Sequence, residues 1–88
     1  MDNSWLERTA LLFGNDKIEK LNSKHVLVVG LGGVGAYSAE MIARAGVGQM
    51  TIVDGDVVNK TNINRQLLAL HSQIGKPKAD IMAQRLRD

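Results

Sequence analysis

An α/β fold built on a parallel sheet follows from three features of this 88-residue sequence. Val26-Leu27-Val28-Val29 is an unbroken apolar run, which suits a strand buried on both faces. The run breaks into Gly30-Leu31-Gly32-Gly33-Val34-Gly35, and a helical pattern follows. A second apolar run, Met50-Thr51-Ile52-Val53, then ends on Asp54. Strand, glycine turn, helix and strand make a right-handed βαβ unit of the kind that binds a nucleotide phosphate.

Two short helices precede that unit. Ser4-Trp5-Leu6-Glu7 reads as a capping box opening a helix through Phe13, with Gly14 ending it. Trp5, Leu6, Thr9, Leu12 and Phe13 recur at roughly helical spacing, so this helix packs on its own domain or on a second subunit. Arg8 lies on it, and spacing alone gives that side chain a solvated position. Asp16-Lys17-Ile18-Glu19 is a second capping signature, with Ile18 and Leu21 on the buried side. Asn22 to Lys24 connect to the first strand, where His25 reads as a polar edge residue.

In the glycine stretch, Gly30 allows a sharp turn at the strand end. Gly32 and Gly33 lack a Cβ, so an anion can approach their amides, and Gly35 lets the helix pack tightly on the strand. The helix N-terminus adds unpaired N–H groups and about half a positive charge. Val34, Tyr37, Met41, Ile42 and Ala45 form the expected apolar stripe, and Gly46 is the C′ residue. Asp54 sits where a carboxylate can bind both ribose hydroxyls. The glycines alone would also fit a tight turn without ligand; the strand, helix and terminal acid around them favour a nucleotide.

Residues 55–66 are polar and rich in asparagine. Asn62 and Asn64 can bind phosphate or sugar oxygens, and Arg65 can fork onto a phosphate. The plainer alternative is a solvated loop leading into a short helical stretch from Leu67 to Leu70. The last helix opens at Gly75-Lys76-Pro77-Lys78 with Pro77 at its first position, and Ala79, Met82, Ala83 and Leu86 form its apolar stripe. Lys78 falls in the first turn, where the helix dipole disfavours a cation. It either faces a bound anion or extends into solvent.

Length allows one domain, burying only about 60–65% of its unfolded surface. Two strands make a poor free-standing sheet, so the chain is expected to be the N-terminal part of a longer α/β domain. The net charge of +2 is dispersed and does not by itself indicate nucleic-acid binding. The absence of cysteine excludes disulfides, cysteine-ligated zinc and a cysteine nucleophile within these residues. No apolar run approaches the ~20 residues that span a bilayer, and the first residues are not a signal peptide. The default compartment is the cytoplasm.

Taken together and in order, Arg8, GLGGVG, Ala43-Arg44-Ala45-Gly46-Val47-Gly48, Val53-Asp54-Gly55-Asp56, Asn62-Ile63-Asn64-Arg65-Gln66 and Gly75-Lys76-Pro77-Lys78 resemble the ThiF/MoeB/HesA superfamily. These are ATP-dependent adenylyltransferases related to ubiquitin-activating enzymes. The resemblance covers nearly the whole chain. It implies a Rossmann-like fold, with residues 1–88 as the incomplete N-terminal portion of an ATP-binding adenylyltransferase domain. Asn62 to Gln66 with Leu67-Leu68-Ala69-Leu70, and Arg8 to Gly14, are most similar to the branch that dehydrates N6-threonylcarbamoyladenosine in tRNA.

The resemblance implies roles. Gly30, Gly32, Gly33 and Gly35 form the turn at the ATP phosphates, Asp54 holds the ribose, and Asn62, Asn64, Arg65 and Lys78 contact the nucleotide. Arg65, Lys78 and Arg8 stabilise charge on the phosphates, Arg8 by reaching across a homodimer. A substrate carboxylate attacks the α-phosphorus, giving an acyl-adenylate and pyrophosphate; in the tRNA branch, ring closure then expels AMP. The magnesium ligand lies outside this segment, which alone is expected to be inactive. The alternative substrate is the C-terminus of a ubiquitin-like sulfur carrier. Two other readings are an NAD-dependent oxidoreductase, which does not call for the asparagine run or Lys78, and a non-catalytic dimerising module.

Overall fold

The structure is a computed structural model describing residues 2–88. A single 3-10 turn, Ser4–Leu6, leads into α1, Glu7–Phe13, and α2, Asn15–Asn22, follows across Gly14. Neither predicted capping box forms. The Ser4 N–H donates instead to the nearby Asp2 carboxylate at 2.9 Å, and no side chain caps α1 or α2. Asp16 falls inside the first turn of α2, where its charge still suits the helix dipole. Leu6 and Ile18 are buried, whereas Trp5, Leu12 and Phe13 are exposed.

Strand β1, His25–Val29, pairs in parallel with β2, Gln49–Val53, in a register running from His25 opposite Gln49 to Val29 opposite Val53. Helix α3, Gly33–Arg44, joins them, and α4, Lys78–Arg87, ends the chain. Both helices pack on one sheet face, where Val28, Leu31, Ala36, Ala39, Leu68 and Met82 form the buried core with Val26, Met50 and Ile52 against it. The expectation of a strand buried on both faces is corrected: on the opposite face Leu27 is 62% and Val29 71% exposed. No described element covers that face, because successive residues alternate sides and both helices take the same one.

The predicted stripe on α3 is also corrected. Val34, Tyr37 and Met41 are exposed, and the residues facing the core are Ala36, Ala39 and Glu40. A Cβ on Gly35 would collide with the Gly30 carbonyl oxygen, so α3 approaches β1 through its smallest residues. Close approach, rather than apolar bulk, decides which face turns inward. Gly46, at φ +107, does follow the last helical turn as expected.

From Asp54 to Pro77 the chain forms 3-10 turns at Lys60–Asn62 and His71–Gln73. The predicted helical stretch from Leu67 to Leu70 is a pair of turns instead, tied by Ala69 N–H to the Gln66 carbonyl at 3.0 Å. Burying Leu68 and Ala69 takes precedence there over helical repetition. Pro77 precedes α4 rather than opening it, because it sits in an antiparallel bridge with Val57. Met82 is buried on α4, with Ala79, Ala83 and Leu86 half-buried beside it, as the spacing indicates. No helix among the described residues is long and apolar enough to cross a membrane.

Candidate functional site

The two strands end side by side, and the site begins with the turn after β1. Gly30 adopts φ +87, which an L side chain resists, and its N–H donates to the Val53 carbonyl at 2.8 Å. Leu31, fully buried, anchors the turn in the core. Gly32 precedes α3 in extended conformation, and the N–H groups of Gly33, Val34 and Gly35 have no acceptor within the helix. Gly32 and Gly33 border open space: a methyl group on either would meet nothing closer than 3.9 Å. At Gly32 that neighbour is the Gln66 amide nitrogen, and at Gly33 the Arg65 carbonyl. The glycine turn and the asparagine-rich loop therefore lie against each other.

Asp54 straps the two strand ends together. Its Oδ2 accepts from the Leu31 N–H at 2.7 Å and its Oδ1 from the Asp56 N–H at 2.8 Å. A carboxylate has about four lone-pair sites, so both oxygens retain capacity for a hydroxyl. The Asp56 carbonyl in turn accepts from the Lys78 N–H at 3.0 Å. Three hydrogen bonds thus run from the glycine turn through Asp54 and Asp56 to the first residue of α4. The solvent-extended alternative for Lys78 is removed: the residue is 6% exposed. It takes part in no side-chain hydrogen bond or ion pair among the described residues. The side chain is folded inward along its stem with its amine unpaired among the described residues, which leaves that amine available to an anion.

The loop beyond is held by its own side chains. Buried Asn62 accepts from the Asn59 N–H at 2.9 Å through Oδ1, and Asn59 Oδ1 accepts from the Thr61 N–H at 3.0 Å. Asn62 keeps its amide nitrogen, and one lone pair of Oδ1, for other partners. Asn64 and Arg65 are exposed, with Arg65 Nη1 donating to the Thr61 carbonyl at 3.0 Å and to Asn64 Oδ1 at 3.2 Å. Their side chains engage each other and the loop, not the glycine turn. Arg8 is exposed on α1 with no side-chain hydrogen bond or ion pair among the described residues.

Sequence reasoning passed over two groups. Gln66, whose amide nitrogen borders Gly32, has its Oε1 buried without a partner, and only its adjacency to Arg65 hinted at it. Glu40 is buried on α3 and bonded to Arg85 of α4, with Arg44 at 3.8 Å; an acidic residue at a core-facing helical position was the available signal. The Arg85 guanidinium holds the Glu40 carboxyl below the ordinary carboxylate range, against the opposing effect of burial. Two clefts, of about 390 and 900 Å³, are lined by neither the glycine turn, Asp54, Arg65 nor Lys78. Around Gly32 and Gly33 the cradle opens onto free space bordered by backbone amides.

Comparison with known proteins matches residues 6–88 to the ThiF family. The chain is 48% identical over 81 residues to the tRNA threonylcarbamoyladenosine dehydratase of Bacillus subtilis, covering 92% of this chain and 32% of that protein. It is 41% identical over 68 residues to the molybdopterin-synthase adenylyltransferase of Escherichia coli, covering 77% of this chain and 27% of that one. Among solved structures, the Escherichia coli tRNA N6-threonylcarbamoyladenosine dehydratase TcdA in complex with ATP aligns with a TM-score of 0.92 at 42% identity. That alignment covers 97% of this chain and 35% of that chain. The fold is thus the Rossmann-like one of those enzymes, and the 88 residues span about a third of their length.

Proposed function

The chain belongs to the ThiF family, and from that premise we propose that it forms the N-terminal portion of an enzyme that activates a carboxylate with ATP. The carboxylate we propose is that of N6-threonylcarbamoyladenosine in tRNA, adenylated for cyclic dehydration. One observation carries the reading: Lys78, buried without a counter-charge among the described residues, is tied through Asp56 and Asp54 to a turn of free amides.

The residues present fit a nucleoside triphosphate. The amides at the start of α3 and the dipole behind them suit phosphate oxygens. Asp54 has acceptor capacity left for the ribose hydroxyls, and the Asn62 amide nitrogen and Asn64 lie on the adjoining loop. Lys78 supplies a positive charge at the start of α4. Arg65, released from the Thr61 carbonyl, would present its fork to phosphate and stabilise charge as it develops. When bound, ATP supplies an electrophilic α-phosphorus and a pyrophosphate leaving group. Arg8 would act from the partner of a homodimer, a role suited to its place on α1 beside the exposed Leu11, Leu12 and Phe13. The enzyme would work in the cytoplasm, where ATP and tRNA meet.

The adenylyltransferase relative supports a second substrate, the C-terminus of a ubiquitin-like carrier protein. Mass spectrometry of the full-length protein incubated with ATP, total tRNA and a carrier separates the two. The proposal expects a tRNA nucleoside to lose water; AMP gained by a protein C-terminus would replace it, and neither change would overturn both. In the full-length enzyme, Lys78→Ala and Arg65→Ala should each slow ATP–pyrophosphate exchange by about 10²-fold. Wild-type rates in both variants would remove these side chains from the reacting phosphates.

A further inference from the structure

Glu40 and Arg85 lie outside the phosphate cradle, yet the structure assigns them a positioning role toward it. Glu40 is seven residues beyond Gly33 on α3, and Arg85 is seven beyond Lys78 on α4. Seven residues advance about 10 Å along a helix and return to within about 20° of the same face. The ion pair therefore joins the two helices at matched depth, two turns below the glycine turn on one side and two below Lys78 on the other. At the site end, α4 is held by the Lys78 N–H on the Asp56 carbonyl. These two attachments fix both the place and the tilt of α4. The pair sets that tilt, and with it the distance of Lys78 from the amides of α3.

A purely adhesive role is a poor explanation, because Arg85 is 39% exposed and a solvent-screened pair adds little stability. Glu40 is buried beside a core of Ala36, Ala39 and Met82, where apolar side chains of similar volume would hold the helices as well or better. An ion pair adds direction: the guanidinium must meet the carboxylate in one geometry, whereas apolar contacts slide. Arg44, one turn further along α3, lies 3.8 Å from the other carboxylate oxygen, too far for a hydrogen bond, so the direction comes from Arg85. The inference extends the proposed adenylation by naming what holds its buried lysine in place, and to that extent rests on it.

The test uses the full-length protein carrying E40M/R85M, which keeps side-chain volume and is expected to fold. Amide hydrogen exchange is read first, without nucleotide. The Lys78 amide should exchange about tenfold faster, while the Gly30 amide, bonded to Val53 across the strand ladder, keeps its protection. Equal acceleration at both amides would make the pair a general stabiliser, and no acceleration at Lys78 would make it irrelevant to α4; either overturns the inference. Pyrophosphate exchange is read second. E40M/R85M should lower kcat about tenfold with little change in the KM for ATP, and should cost nothing further in a Lys78→Ala background. Losses that multiply would mean that the pair acts independently of Lys78 and would overturn the inference. If the wild-type enzyme catalyses no exchange, the adenylation reading fails, and amide exchange alone decides the positioning role.

Discussion

The glycine turn and the loop from Asp56 to Gln66 follow adjacent strands and lie against each other, yet they are held by opposite means. The turn is shaped by what its residues lack: Gly35 has no Cβ to strike the Gly30 carbonyl, and Gly32 and Gly33 leave their amides open. The loop is shaped by what its residues carry: Asn59, Thr61 and Asn62 cap one another, and Arg65 reaches back to Thr61. A missing side chain has one consequence, so a glycine pattern translates directly into geometry. A polar side chain has a choice of partners, its own backbone or a ligand, and its presence does not decide between them.

The largest expected effect breaks the turn. Gly35→Ala should destabilise the full-length protein by about 3 kcal/mol or more, because the new methyl meets backbone, which cannot move aside as a side chain can. Gly33→Ala is the counterpart: its methyl meets only the Arg65 carbonyl oxygen at 3.9 Å, so stability should hold while ATP affinity falls. Urea denaturation with nucleotide titration reads both. If Gly35→Ala folds like wild type, close packing is not what selects glycine there, and the contrast between turn and loop weakens.

Legibility follows the same division. Val26 to Val29, the glycine turn, Gly46 and the second strand are readable because backbone constraints pick out few residue types. The inward face of α3 is not: hydrophobic weight points to Val34, Tyr37 and Met41, whereas alanines mark the contact because a helix this close to a strand has no room for larger groups. The first capping box fails for the loop's reason. Asp2 competes for the Ser4 N–H, and sequence spacing cannot rank two acceptors within reach of one donor. For Lys78 the sequence permits either an anion or solvent. Only packing, which turns the first residue of α4 inward, removes solvent from that choice.

The intermediate effect sharpens the loop side. Asn62→Ala removes the acceptor of the Asn59 N–H from a buried site and should cost about 1–2 kcal/mol. Asn64→Ala, at an exposed position, should cost under about 0.5 kcal/mol. Thermal unfolding and ATP titration of both variants divide each residue between holding the loop and holding the nucleotide. An Asn62→Ala protein of full stability and lost affinity would mean that Asn62 serves the nucleotide and that other bonds hold the loop.

The smallest expected effect concerns acid, and it lies outside both turn and loop, at the ion pair between α3 and α4. Arg85, hydrogen-bonded to Glu40, lowers the carboxyl's pKa in the folded state; burial opposes this, and Arg44 adds a weaker pull in the same direction. A folded pKa below the unfolded one stabilises the protein above the ordinary glutamate value of about 4.3, and that stability is lost as pH falls through the folded value. Arg85 is raised from its own ordinary value and stays charged throughout, so the carboxylate alone titrates. With Arg85 39% exposed, solvent screens the pair and its share is about 1 kcal/mol or less. Glu40→Gln should therefore flatten the fall in stability between about pH 5 and pH 3 while leaving the slope nearer neutrality unchanged. A Glu40→Gln protein with an undiminished acid slope would overturn the assignment of that slope to the contact between Glu40 and Arg85.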